Sequence, residues 1–201
     1  MLDVTPFFFE HLHYFTLPGL IKKFQNHGWE LKNHFKINYW GGTLIAVFRK
    51  GTSRSDIAPH QAYLSGLAQT FQSRMQTKHD FLRLTLESRR LTLGSGVCAY
   101  GIGNRALHLF AFANLGEQID FFVDSAETKW GKIIPYYQKP VSSPTDLLGN
   151  PNKIHTLLVT AFGYEAQVIS QIKASFKLRP DLQIVVVDPA VRFFSLEDAF
   201  T

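Results

Sequence analysis

The stretch VCAYGIGNRALHLFAFANLG, from Val97 to Gly116, constrains the fold more than any other part of the chain. It reads as a short buried strand, a turn built on Gly101 and Gly103, and an amphipathic helix. Strand IDFFVD, ending at Asp124, comes next; strand HTLLVTAF, helix YEAQVISQIKASF and strand QIVVVD follow, and PTDLLG starts a short helix between them. Apolar, β-branched strands alternating with helices predict a parallel sheet covered on both faces. The expected fold class is α/β: a Rossmann-like parallel sheet with helices on both faces, preceded by a helical segment and a small N-terminal α/β fragment with an antiparallel strand pair. The stretch SAETKWGKIIPYYQKPVSSP reads as a loop, because Gly131, Pro135, Pro140 and Pro144 punctuate it.

Upstream, LPGLIKKFQNHG places Leu17, Leu20, Ile21 and Phe24 at helical spacing, with Gly28 where the helix stops. HFKINYW and TLIAVF then predict two strands joined around Gly41 and Gly42. From about residue 55 to 92, Leu64, Leu67, Phe71, Met75, Leu82 and Leu86 keep the three-and-four rhythm of a packing helix, or of two joined near QTKHD. Three zones follow: 1–52, too small to hold a core alone; 53–95, a helical connector; and 96–201, the Rossmann-like part.

Composition removes several function classes. The single cysteine, Cys98, excludes an internal disulfide and a cysteine-based zinc site, and no metal site is expected. No apolar run reaches the roughly 18 residues of a membrane span. The opening MLDVTPFFFEHL carries Asp3 and Glu10 and lacks a basic leader, so cytoplasm is the expected location. The net charge of +5 is scattered rather than gathered on one face, which argues against nucleic acid as a partner.

Two stretches carry chemistry. Gly101 and Gly103 let backbone amides approach an anion at a helix start, and Asp124 lies near the place where dinucleotide sites hold a ribose hydroxyl. The third glycine of that fingerprint is absent, with Arg105 and Ala106 in its place. The motif alone leaves a bound nucleotide and a purely structural turn both open. FFFEHLHYF gathers Glu10, His11, His13 and Tyr14. A carboxylate beside an imidazole suits proton transfer, and the polar edge of an aromatic cluster is the plainer reading.

Taken in order, EHLHYFTLPGLIKKFQNHGWEL, WGGTLIAVFRK, AYGIGNRALHLFAF, FFVDSAETKWGKIIP and LLVTAFGYEAQVI resemble the second half of the sugar C-methyltransferases acting on nucleotide-linked deoxysugars. The resemblance runs from about Phe8 to Asp188. It implies that Glu10 and His11 lie beside the reacting sugar carbon, His11 as the proton-abstracting base. It also implies that Tyr100, Gly101, Gly103, Asn104, Asp124 and Lys129 help hold the nucleotide-sugar. Departures accompany it: Phe8 stands where the family often has Tyr, the turn around Ile102 is shorter, and Ala161-Phe162-Gly163 replaces an AWN-like run.

The family's S-adenosylmethionine site lies upstream of its EHL run, behind a cysteine-zinc domain. Only seven residues precede Phe8 here, and the sequence holds no second glycine motif. The expectation is therefore the acceptor-binding half of a C-methyltransferase-like protein, with no cofactor of its own and no independent turnover. Its expected partners are a nucleotide-linked sugar and a separate S-adenosylmethionine-binding subunit or a second copy. Two other readings stand beside it: a non-catalytic Rossmann-like interaction module, and an NAD(P)-binding oxidoreductase domain.

Overall fold

The computed structural model describes residues 13, 15–37, 43–51, 61–148, 152–175, 181–188 and 190–198. The chain divides into two compact units, Leu2–Arg74 and Met75–Thr201.

In the first unit, Thr16 caps helix α1 (Leu17–Gln25) by accepting the Gly19 amide at 3.3 Å, and Pro18 occupies the first turn, where a missing amide leaves no bond unmade. Gly28, at φ +76, turns the chain into strand β1 (Trp29–Ile37). Strand β1 pairs antiparallel with β2 (Thr43–Lys50), with one irregularity between Leu31 and Asn33. Ile21 is fully buried, and Phe24 stacks on Phe48 with ring centroids 4.1 Å apart. Glu30, buried in the ribbon, pairs with Arg49. A Cβ on Gly51 would lie 2.7 Å from Glu30 Cδ, so a side chain here would require the Glu30 carboxylate to shift. The expected helix and strand pair are both present, and the Gly41–Gly42 link lies outside the described residues.

Helix α2 (Gln61–Leu93) is one 33-residue element, not two joined near QTKHD. The stretch that suggested a break is bridged by side chains one turn apart: Gln76 donates to Asp80, while Arg83 pairs with Asp80 and Glu87. Such pairs stabilise a helix modestly and leave it no reason to stop. Among its described residues Leu82 and Leu86 are fully buried, as their spacing predicts, while Phe71 and Met75 of the same stripe are half-buried.

The second unit is a seven-stranded sheet in the order β5-β6-β4-β3-β7-β8-β9. Its parallel core comprises β6 (Lys139–Ser142), β4 (Phe121–Val123), β3 (Val97–Tyr100), β7 (Thr156–Val159) and β8 (Gln183–Val186). Numbered along the chain, these five run 3-2-1-4-5, the doubly wound order. Alternate residues serve opposite faces. Val97, Ala99, Phe122, Leu158 and Val185 pack with Leu82 and Leu86 of α2 and Ala106 and Phe110 of α3 (Asn104–Phe112). Cys98, Tyr100, Val123, Leu157 and Ile184 pack with Ile169 and Ile172 of α5 (Glu165–Ser175). Helix α4 (Pro144–Leu148) follows β6, as PTDLLG predicts.

Two strands depart from expectation. The segment read as a loop holds a 3-10 turn (Glu127–Lys129), β5 (Ile133–Ile134) and β6, which supplies the third parallel strand. Proline hid it. Pro140 is tolerated because β6 pairs with β4 only from Val141 onward, so its missing amide costs no bond there. Lys139 fixes the approach by donating to the Gly116 and Ile119 carbonyls. Strand β9 (Arg192–Ser195) adds an antiparallel edge beyond β8.

Asp120, just before β4, ties this sheet to α2. Its Oδ2 accepts the Gly96 and Val97 amides at 2.7 and 3.0 Å, and its Oδ1 lies 3.1 Å from Arg90. Asp120→Ala should lower unfolding free energy by about 2–4 kcal/mol in urea denaturation, because two amides and a guanidinium lose a buried acceptor. A change indistinguishable from zero would refute that role. Cys98 is fully buried, and burial pushes its thiol far above the ordinary range. The native protein at pH 8 should leave a thiol reagent unreacted, with one equivalent consumed on unfolding; prompt labelling of the folded chain would contradict this burial.

Candidate functional site

In a sheet of this order, ligands sit outside the carboxyl ends of the strands where the winding reverses, between β3 and β7. The paired residues Tyr100, Val123, Ser142, Val159 and Val186 mark that edge. Three loops leave it around the reversal: Gly101 to Gly103 after β3, Asp124 onward after β4, and Thr160 to Tyr164 after β7.

Gly101 is the tightest point. Its φ is +98, and a Cβ there would stand 2.8 Å from the Ala161 nitrogen and 2.9 Å from the Ala161 side chain. The two loops touch backbone to backbone, which only glycine permits. Thr160 locks the approach: its hydroxyl lies 3.0 Å from the Tyr100 carbonyl and 2.8 Å from that of Gly101, and its amide donates to Tyr100 at 2.8 Å. Sequence reasoning missed Thr160, and marked Ala161 only as part of a departure from the family pattern. The signal available was position alone, at the end of the strand after the reversal.

Gly103 differs from Gly101. It caps α3 in extended geometry (φ −104, ψ 176), offers no side-chain cap, and has open space where a Cβ would go. Asn104, the first residue of α3, is exposed beside it. The start of α3 therefore faces outward at the mouth, with the positive end of its dipole.

Asp124 fills the space between these loops. Its Oδ2 accepts the Ile102 amide at 2.7 Å and the Lys129 ammonium at 2.7 Å; its Oδ1 accepts the Ala126 amide at 2.8 Å. Lys129 also donates to the Ile102 carbonyl at 2.8 Å, and Trp130 Nε1 donates to the Asp124 carbonyl at 2.7 Å. The Asp124 side chain is 8% exposed. The Ile102 amide, in the middle of the glycine turn, is thus taken by a carboxylate, and Lys129 is ion-paired with its side chain 38% exposed. The fold builds this because β4 ends one residue before Asp124, and the 3-10 turn brings Lys129 back over it.

Tyr100 belongs to the core beneath the mouth, 3% exposed. Burial raises its phenol above the ordinary range, the Asp124 carboxylate raises it further, and a hydrogen bond with Ser125 opposes them. The structure thus brings Tyr100, Gly101, Gly103, Asn104, Asp124 and Lys129 to one edge. Glu10 and His11 lie outside the described residues.

Two surface hollows of the second unit open elsewhere. One, of about 470 Å³, lies between α2 and the β8–β9 flank, with Phe81, Arg89, Gln183 and Phe193 in its wall. The other, of about 360 Å³, is at the amino end of the sheet beside Arg90, Gly94 and Glu117. Among the described residues, no helix is long and apolar enough to cross a membrane, and no group of three or more His, Cys, Asp or Glu could hold a metal ion.

The two glycines should respond oppositely to substitution. Gly101→Ala forces both a backbone clash and an unfavourable φ, and should cost about 2–4 kcal/mol in thermal or urea unfolding. Gly103→Ala should stay within about 0.5 kcal/mol of the parent. Equal effects at the two positions would contradict the close approach at Gly101.

A C-methyltransferase from Streptomyces niveus, NovU, is 26% identical over 178 residues, an alignment covering 83% of this chain and 42% of the relative. The chain spans under half the length of that relative. The family described as the C-methyltransferase C-terminal domain matches residues 60–186, more than half of the chain and the whole parallel core of the sheet. The chain belongs to the C-methyltransferase C-terminal domain family.

Proposed function

We propose that this chain supplies the acceptor-binding part of a sugar C-methyltransferase: the second unit holds a nucleotide-linked deoxysugar across the mouth between β3 and β7. The observation that carries the reading is the coincidence of the family match with a doubly wound core whose reversal point is framed by Gly101, Gly103 and Thr160. Gly103, uncapped and unobstructed at the start of α3, gives a diphosphate an approach to helix amides without a side chain in the way.

In this reading His11 would take the proton from the sugar carbon with Glu10 beside it, and S-adenosylmethionine, when bound, would supply the methyl group by cleavage of its S–CH3 bond and leave as S-adenosylhomocysteine. The methyl donor is held by residues outside this sequence, on the same polypeptide or on another. Holding both reactants in line contributes much of the rate in such a transfer, so the mouth serves as a clamp for the acceptor. The NAD(P) reading loses support from the geometry: the acid that would bind a ribose hydroxyl, Asp124, already serves three donors.

Isothermal titration with dTDP and dTDP-linked deoxysugars tests the proposal. Saturable binding in the micromolar to low-millimolar range is expected, weakened about tenfold or more by Gly103→Val with the melting temperature unchanged. No binding at millimolar ligand would end it. His11→Ala should leave both folding and nucleotide affinity near the parent values, because its role is in the chemical step; a large loss of affinity would place it in the binding site instead.

A further inference from the structure

A diphosphate seated in a glycine turn needs the turn's amide and a cation beside it. Here one carboxylate engages both. Asp124 Oδ2 lies 2.7 Å from the Ile102 amide and 2.7 Å from the Lys129 ammonium. Its other oxygen is tied to the Ala126 amide, and its side chain is 8% exposed. A phosphate oxygen could reach Ile102 only by displacing this group, and would approach a fixed negative charge that little water screens. Lys129 is anchored from a second side as well, through the Ile102 carbonyl at 2.8 Å, so two of its three N–H donors are engaged and moving the ammonium out of the turn breaks both bonds.

We infer that Asp124 is a specificity-determining residue: an internal anion occupies the phosphate seat of the glycine turn. The mouth therefore refuses free diphosphates and dinucleotides at that seat, and admits a sugar nucleotide only with its diphosphate away from Ile102. Lys129 is a positioning residue that holds the carboxylate in place. The inference deepens the acceptor-binding reading and rests on it for the sugar nucleotide, but the occupied seat is open to a test of its own.

The probe is inorganic pyrophosphate, titrated calorimetrically at constant ionic strength into the full chain and into Asp124→Ser and Asp124→Asn, with thermal unfolding measured alongside. The parent should show no saturable binding up to about 10 mM, and the serine variant should gain a site at least about tenfold tighter than that limit. Pyrophosphate should also raise the melting temperature of the serine variant while leaving the parent unmoved. Asparagine keeps an oxygen for the Ile102 amide but drops the charge, so it should gain less. Low-millimolar binding by the parent, weakened by Lys129→Met, would overturn the inference. A folded serine variant that binds no pyrophosphate would overturn it too. If neither variant folds even with pyrophosphate present, Asp124 is structural alone and the inference falls. Failure of dTDP-sugars to bind, with pyrophosphate behaving as expected, would remove the acceptor reading and leave the occupied seat standing.

Discussion

Strand β3 is gripped at both ends by carboxylates that flank its neighbour β4. Asp120, before β4, takes the Gly96 and Val97 amides; Asp124, after it, takes the Ile102 amide. Each acid is nearly buried and each carries its own cation, Arg90 or Lys129. A buried carboxylate is tolerable only with such company, and once satisfied it fixes the backbone around it. The position of the mouth follows. With β3 held at both ends and Gly101 pressed against Ala161, the reversal point has a defined shape before any ligand arrives.

That rigidity shapes the functional reading. An edge organised by its own charges costs little to order when a ligand docks, which favours binding. On the proposed reading the same charges choose among ligands. A turn that looks like a phosphate cradle in the sequence has its Ile102 amide engaged from within, by Asp124.

Much of the fold was legible because burial on both faces leaves a plain mark. VCAY, HTLLVTAF and QIVVVD contain too many consecutive apolar residues to be anything but core, and the helices between them keep their period. Strand β6 was not legible, since KPVS carries one strongly apolar residue and a proline, and its pairing depends on partners far along the chain. Strand β9 hid for the opposite reason: RFFS is too short to speak without the β8 edge beside it. At the mouth, glycine and acid could be read as types, and their spacing placed them at one edge. What the acid touches could not be read, because Asp124 bonds to Ile102, 22 residues away, only through the geometry of adjacent parallel strands.

The Ile102 amide reports on the occupied seat most directly. Its proton–nitrogen resonance, followed by NMR while inorganic pyrophosphate is added to the parent chain, should stay in place and exchange slowly with solvent, as an amide bonded to a buried carboxylate does. A progressive shift of that resonance, saturating with pyrophosphate, would show a phosphate reaching the turn and would contradict the account.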